Sequence, residues 1–194
     1  MSKNQNFTKL EKYVRSKVLS SRFLHCVSVG NTAMFFNQKY NSGFSDEECY
    51  EAGLLHDIAK NWQFEDMLIY CKNNSIRLEK EEIENPVLLH APVGSGLVKE
   101  MGYSEECQLA VRWHTLGSVD MGRLGLIIYL SDYLEPLRPY LSDKDRMAFN
   151  KLDSLEDICI KVIDNEIKYR KSNNQALANT TEALYNYIKD GGTF

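Results

Sequence analysis

The sequence predicts an all-α protein. Helix-start signals recur along its 194 residues, and apolar residues return at intervals of three and four. Sustained alternation at period two is absent, and no Asn-Gly or Asp-Gly pair joins two alternating segments as a hairpin turn would. Thr8 with Glu11 fits a capping box ahead of a first helix striped by Leu10, Tyr13, Val14 and Val18. A second helix is expected over Ser21–Tyr40, and Ser45 with Glu48 caps a third. Asn85 before Pro86 places a cap ahead of a proline at the first helical position. Gly102 closes a helix, and Ser104, Glu105 and Glu106 start the next. The longest apolar stretch, Leu124 to Leu134, is interrupted by Ser131 and Asp132 and is too short and too polar to span a bilayer. Ser142–Asp153 reads as a linker. Two helices follow it, roughly 154–172 and 179–190, with Leu155, Ile158 and Val162 on the first and Asn179 with Glu182 opening the second. In all, about eight helices are expected. Two helices alone make a poor core, so the C-terminal pair is expected to pack back on the main body. Residues 18–140 form the expected core and 141–194 a helical extension of the same domain.

Hydrophobic residues make 43% of the chain and charged residues 26%, which excludes a collagen, a disordered chain and a disulfide scaffold. The net charge of −4 is no nucleic-acid footprint, so an anionic ligand must be held locally, by a metal or a few placed Lys and Arg. Cys26, Cys49, Cys71, Cys107 and Cys159 are odd in number and lack CxxC spacing, which predicts free thiols in a reducing cytoplasm. The first twenty residues hold no apolar run, so no signal peptide and no membrane partner are expected. P-loop, GxGxxG and GxSxG motifs are absent. The aromatics, among them Phe7, Trp62, Tyr70 and Tyr103, are expected in the core; for Trp113 core packing is favoured over stacking on a base.

The chemistry falls to the histidines. A lone histidine or Asp is usually structural, and an HD dipeptide alone signals little. The combination is different: His25, 31 residues to His56-Asp57, 34 to His90, 24 to His114, 18 to Asp132. That spacing lets several helices each offer one ligand to a common centre. His25 shares a helical face with Val29, Thr32 and Phe36; His56 shares one with Cys49, Ala52, Gly53 and Lys60, whose small members leave room beside the imidazole. A His/Asp donor set without thiolates suits Fe, Mn, Zn or Co.

The order H…HD…H…H…D resembles the HD-domain metal-dependent phosphohydrolases. HDIAK, AVRWHTLG and IIYLSDYLEPLRP resemble, more closely, the bacterial YqeK family, over roughly residues 20–140. Ser131 stands where that family often has alanine, and Leu184, in TTEALYNYI, where it has arginine. The resemblance implies an HD-domain helical fold and symmetrical cleavage of diadenosine tetraphosphate into two ADP by metal-activated water. It implies one or two divalent ions, iron first and manganese second, and ADP or GDP as product. His25, His56, Asp57 and Asp132 match the ligands of a first metal, with Asp57 bridging; His90 and His114 match a second, or face the phosphates if one metal binds. Asp57 and Lys60 are the expected catalytic residues. His25, Asp57, Lys60, His90, His114 and Arg138 are the expected substrate contacts, with Lys60 and Arg138 on phosphate oxygens. Two other readings stay open: an HD nucleotidase for another nucleotide, and a nucleotide-binding regulatory module without turnover. A homodimer is left open as well.

Overall fold

The computed structural model describes the backbone from residue 4 and side chains from Lys9. Its regular structure is helical, with no strand among the described residues: α1 (Asn4–Lys17), α2 (Ser20–Lys39), α3 (Asp46–Leu55), α4 (Phe64–Asn73), α5 (Lys80–Glu84), a 3-10 turn (Pro86–Leu89), α6 (His90–Glu100), α7 (Glu105–Trp113), α8 (Gly122–Leu134), α9 (Asp143–Phe149), α10 (Leu155–Ser172) and α11 (Asn179–Lys189). There are more helices than the about eight expected from periodicity, because α5 and α9 are too short to show a repeating stripe.

The caps explain most boundaries. Ser45 and Glu48 make a full capping box, Ser104 accepts the Cys107 N–H, and Gly102 takes the left-handed conformation (φ +82°) that closes α6. Three expectations change. α1 starts at Asn4, so Thr8 lies inside it; the side chains of Phe7 and Thr8 are outside the described residues. α11 is capped at Ala178, and the Asn179 N–H is met by the Glu81 carboxylate (3.2 Å), a tertiary partner no local pattern announces. The presumed linker contains α9, opened by a Ser142–Asp145 capping box and anchored by buried Phe149.

A main core joins most of this, and a smaller cluster of Ala59, Met67, Cys71, Leu89 and Val93 packs α4 against the 3-10 turn and α6. α8 is apolar on every side, with Leu124, Leu126, Ile127, Ile128 and Leu130 buried at its centre. α2, α3 and α7 surround it, and Leu155, Ile158, Cys159, Val162, Ile163, Leu184 and Ile188 of α10 and α11 join the main core. α2 and α3 touch backbone to backbone: a Cβ on Gly53 would lie 2.5 Å from the Gly30 Cα. The room that Gly53 leaves is therefore filled by α2, not by the imidazole of His56. This close approach brings the end of α3 beside the middle of α2. The five cysteines are free thiols, all buried.

Candidate metal centre

α3 ends at Leu55, so His56 is its C-cap and residues 56–62 run as successive tight turns, with Ile58 N–H to Leu55 O, Lys60 N–H to Asp57 O and Trp62 N–H to Ala59 O. The sequence reading kept Lys60 and His56 on one α-helical face. In turns of three residues it is positions i and i+3 that align, and Lys60 Nζ lies 3.9 Å from Asp57 Oδ1. His114 is the C-cap of α7, and His90 stands where the 3-10 turn gives way to α6. Each of these three imidazoles donates from Nδ1 to the carbonyl three residues back: His56 to Gly53 O (2.7 Å), His90 to Val87 O (2.5 Å), His114 to Val111 O (2.7 Å). A helix end leaves such carbonyls without partners, so each histidine closes its own helix end and is held as the Nδ1–H tautomer. His25, inside α2, donates from Nδ1 to the buried Glu135 carboxylate (3.0 Å).

All four Nε2 atoms consequently face inward, in two pairs. His25 and His56 are 3.2 Å apart, His90 and His114 3.1 Å apart. Asp57 lies between the pairs. Its Oδ2 is 3.4 Å from His56 and 3.8 Å from His25; its Oδ1 is 3.0 Å from His90 and 3.6 Å from His114. Asp132, in the last turn of α8, adds Oδ1 at 2.9 Å from His25 and 3.6 Å from His56. The structure thus brings together all six residues singled out as metal ligands. Around them, Arg22 Nη1 meets Asp57 Oδ2 (2.8 Å), Lys60 Nζ lies 3.2 Å from His90 Nε2, and Arg138 pairs with the Asp132 carboxylate while its Nε donates to the Asp132 carbonyl (2.7 Å).

The electrostatics follow from burial. Burial opposes charge on His56, but Asp57 and Asp132 outweigh it and raise its pKa to about 10. Burial also opposes the Asp57 and Asp132 carboxylates, yet the imidazoles hold both well below the usual range, with Arg138 helping at Asp132. His114 is pushed down to about 4 by burial, against the pull of Asp57. Burial lowers Lys60, with Asp57 opposing.

The donor set suits a divalent cation. With Nδ1 donated outward, neutral rings would turn their Nε2 lone pairs toward each other across about 3 Å, an arrangement that favours a positive charge between them, whether a proton on His56 or a cation in its place. Nitrogen and oxygen donors without thiolate match the first-row divalent ions.

Sequence reasoning missed two members. Arg22 lies one turn before His25, which was its only signal. Glu135 carries no local signal of its place: it backs His25, and Arg138 Nε stays 3.9 Å from it. Trp113 packs partly buried against the core with the Arg112 guanidinium over its ring (4.2 Å).

Inward histidines from separate elements, an HD dipeptide and a distant Asp make a helical centre able to hold a divalent cation. The chain belongs to the HD domain family, which it matches over residues 22–137. It is 31% identical to the symmetrical bis(5'-nucleosyl)-tetraphosphatase of Bacillus subtilis, over 92% of this chain and 95% of that protein. It is also 31% identical to the protein of the same name from Halalkalibacterium halodurans, over 94% and 97%. Its fold superimposes on the crystal structure of a protein from Clostridium acetobutylicum described as a predicted HD superfamily hydrolase involved in NAD metabolism, with a TM-score of 0.84, 30% identity, and 95% and 97% of the two chains covered.

Proposed function

We propose that this protein is a metal-dependent hydrolase that cleaves diadenosine tetraphosphate symmetrically into two ADP. The observation that carries the reading is Asp57, whose two oxygens each face one inward pair of imidazole nitrogens. The names of the full-length relatives supply the substrate. His25, His56, Asp57 and Asp132 would hold a first cation; Asp57, His90 and His114 would hold a second or face the phosphates. Iron is the metal proposed, with manganese as a working substitute. When bound, such a cation supplies Lewis acidity toward a phosphoryl oxygen and lowers the pKa of water.

The chain's own residues do the rest. Asp57 and Asp132 stay ionised at neutral pH, as cation binding requires. Lys60, Arg22 and Arg138 ring the centre with three positive groups for a phosphate chain of about four negative charges. Arg22 and Arg138 pair with Asp57 and Asp132, the carboxylates that would hold a cation, and their N–H groups would then be free for phosphate oxygens. Residues 18–140 carry this chemistry, and 141–194 brace it as part of the same domain.

The deciding experiment is metal analysis of protein purified without chelator, with early products of diadenosine tetraphosphate resolved by chromatography. ADP alone is expected. Equal ATP and AMP, or full turnover after exhaustive metal removal, would overturn the assignment.

A further inference from the structure

We propose that Glu135 is a positioning residue: its buried carboxylate sets the tautomer of His25 and, through the Leu137 amide, the loop that presents Arg138. One side chain then ties cation binding to phosphate binding. The inference rests on reading His25 as a cation ligand.

The argument begins with what His25 lacks. His56, His90 and His114 stand at the ends of helices or turns and find a spare carbonyl three residues back. His25 lies within α2, where each carbonyl is already engaged by the N–H four residues on. Its Nδ1–H needs a foreign acceptor, and Glu135, 110 residues away, is the one it has, at 3.0 Å. A carboxylate in that position raises the donor strength of an imidazole and fixes its ring.

Glu135 is only 1% exposed, so its charge must be matched by hydrogen bonds. Oε1 receives His25; Oε2 receives the Leu137 N–H at 2.6 Å, since intervening Pro136 has none to give. The same loop is gripped from behind by Arg146 of α9. Its guanidinium donates to the carbonyls of Leu134 (3.1 Å), Glu135 (3.2 Å), Arg138 (2.6 Å) and Leu141 (2.8 Å). The loop therefore has little freedom to follow a displaced Glu135 side chain. Glutamine cannot replace the carboxylate: its one amide oxygen can serve His25 or Leu137, and its NH2 then faces a donor.

The test uses chelator-stripped full-length protein and Mn2+ as the probe, with affinity read by competition against a metal indicator. Glu135→Gln should weaken Mn2+ binding by about 10–100-fold while helical CD stays at the wild-type level. The ring 15N signals of His25 should lose the fixed Nδ1–H pattern, and KM for the dinucleotide should rise in parallel. Glu135→Asp, which keeps the charge but withdraws it by one methylene, should show the same losses and decides the matter if the Gln variant does not fold. A folded variant that melts earlier yet binds Mn2+ within about twofold of wild type would make Glu135 merely structural and overturn the proposal. Failure of the wild type to bind Mn2+ at all would instead remove the metal-centre reading beneath it.

Discussion

Stripped of cation, the protein should hold His56 as an imidazolium at neutral pH, because Asp57 and Asp132 raise its pKa to about 10. A cation can bind only the neutral ring, so its entry must expel that proton. Neutralising His56 at pH 7, about three units below its pKa, costs about 4 kcal/mol. His114, pushed down to about 4, is already neutral and adds nothing. The apparent cation affinity should therefore rise about tenfold per pH unit between about pH 6.5 and 8.5. Titration calorimetry of Mn2+ into stripped protein, in two buffers of different ionisation enthalpy at pH 7, should report about one proton released by His56. Stability supplies the second readout. The folded pKa of His56 lies above its ordinary 6.5, so its contribution is fully present below 6.5 and is lost as pH climbs through 10. The melting temperature of stripped protein should fall across that window, while cation-loaded protein, whose His56 is already neutral, should not follow it. A pH-independent Mn2+ affinity with no buffer dependence would show that Asp57 and Asp132 do not hold His56 charged.

The remaining predictions address the surroundings of the centre. Arg138→Ala removes the guanidinium beside Asp132 that is proposed to meet phosphate and should weaken substrate and ADP binding by about 1.5–3 kcal/mol; an unchanged inhibition constant for ADP would take Arg138 out of the site. Gly53→Ala puts a methyl 2.5 Å from the Gly30 Cα, so α2 and α3 must separate. Overpacking of this kind costs about 1–3 kcal/mol and should lower both the melting temperature and Mn2+ affinity, and an unshifted melt would contradict the backbone contact. Arg112→Ala strands Glu82, fully buried and held by Arg112 at 2.5 and 2.9 Å, and should cost about 3–5 kcal/mol. Burial raises the pKa of Glu82, so the variant should lose more stability at pH 7.5 than at pH 5; equal losses at both would contradict that origin.

Much of this was legible in the sequence, for reasons that can be named. The caps at Ser45 and Ser104 and the stop at Gly102 are local chemistry and show in the residues themselves. The six residues that the fold gathers into the candidate centre were legible because so few histidines stand on separate elements with an HD dipeptide and one intrusive Asp. Three things were hidden. The α11 cap is Glu81, 98 residues away, so only the folded chain reveals it. The Ser142–Asp153 segment looks like a linker because α9 presents a single buried anchor, Phe149, too little for a periodic signal. Lys60 and His56 appear to share a helix because the spacing is helical; the chain leaves the α-helix at His56, whose ring takes the carbonyl that would have carried the helix on.

The directions of the helices finish the argument. α3 and α7 each end at a histidine of the centre, and α8 carries Asp132 in its last turn. A helix C-terminus bears about half a negative charge. Three such ends therefore converge where Asp57 and Asp132 already sit, which makes the spot strongly favourable for a cation although no thiolate is present. The same charges would repel a phosphate chain. Arg22, Lys60 and Arg138 answer that repulsion from the rim, one against Asp57 Oδ2, one against Asp57 Oδ1 and His90, one against Asp132. A negative centre of this kind would favour a divalent cation, and with Asp57 and Asp132 holding it the positive rim would be left to meet an anion. A protein of net charge −4 can in this way meet a polyphosphate through a few placed cations.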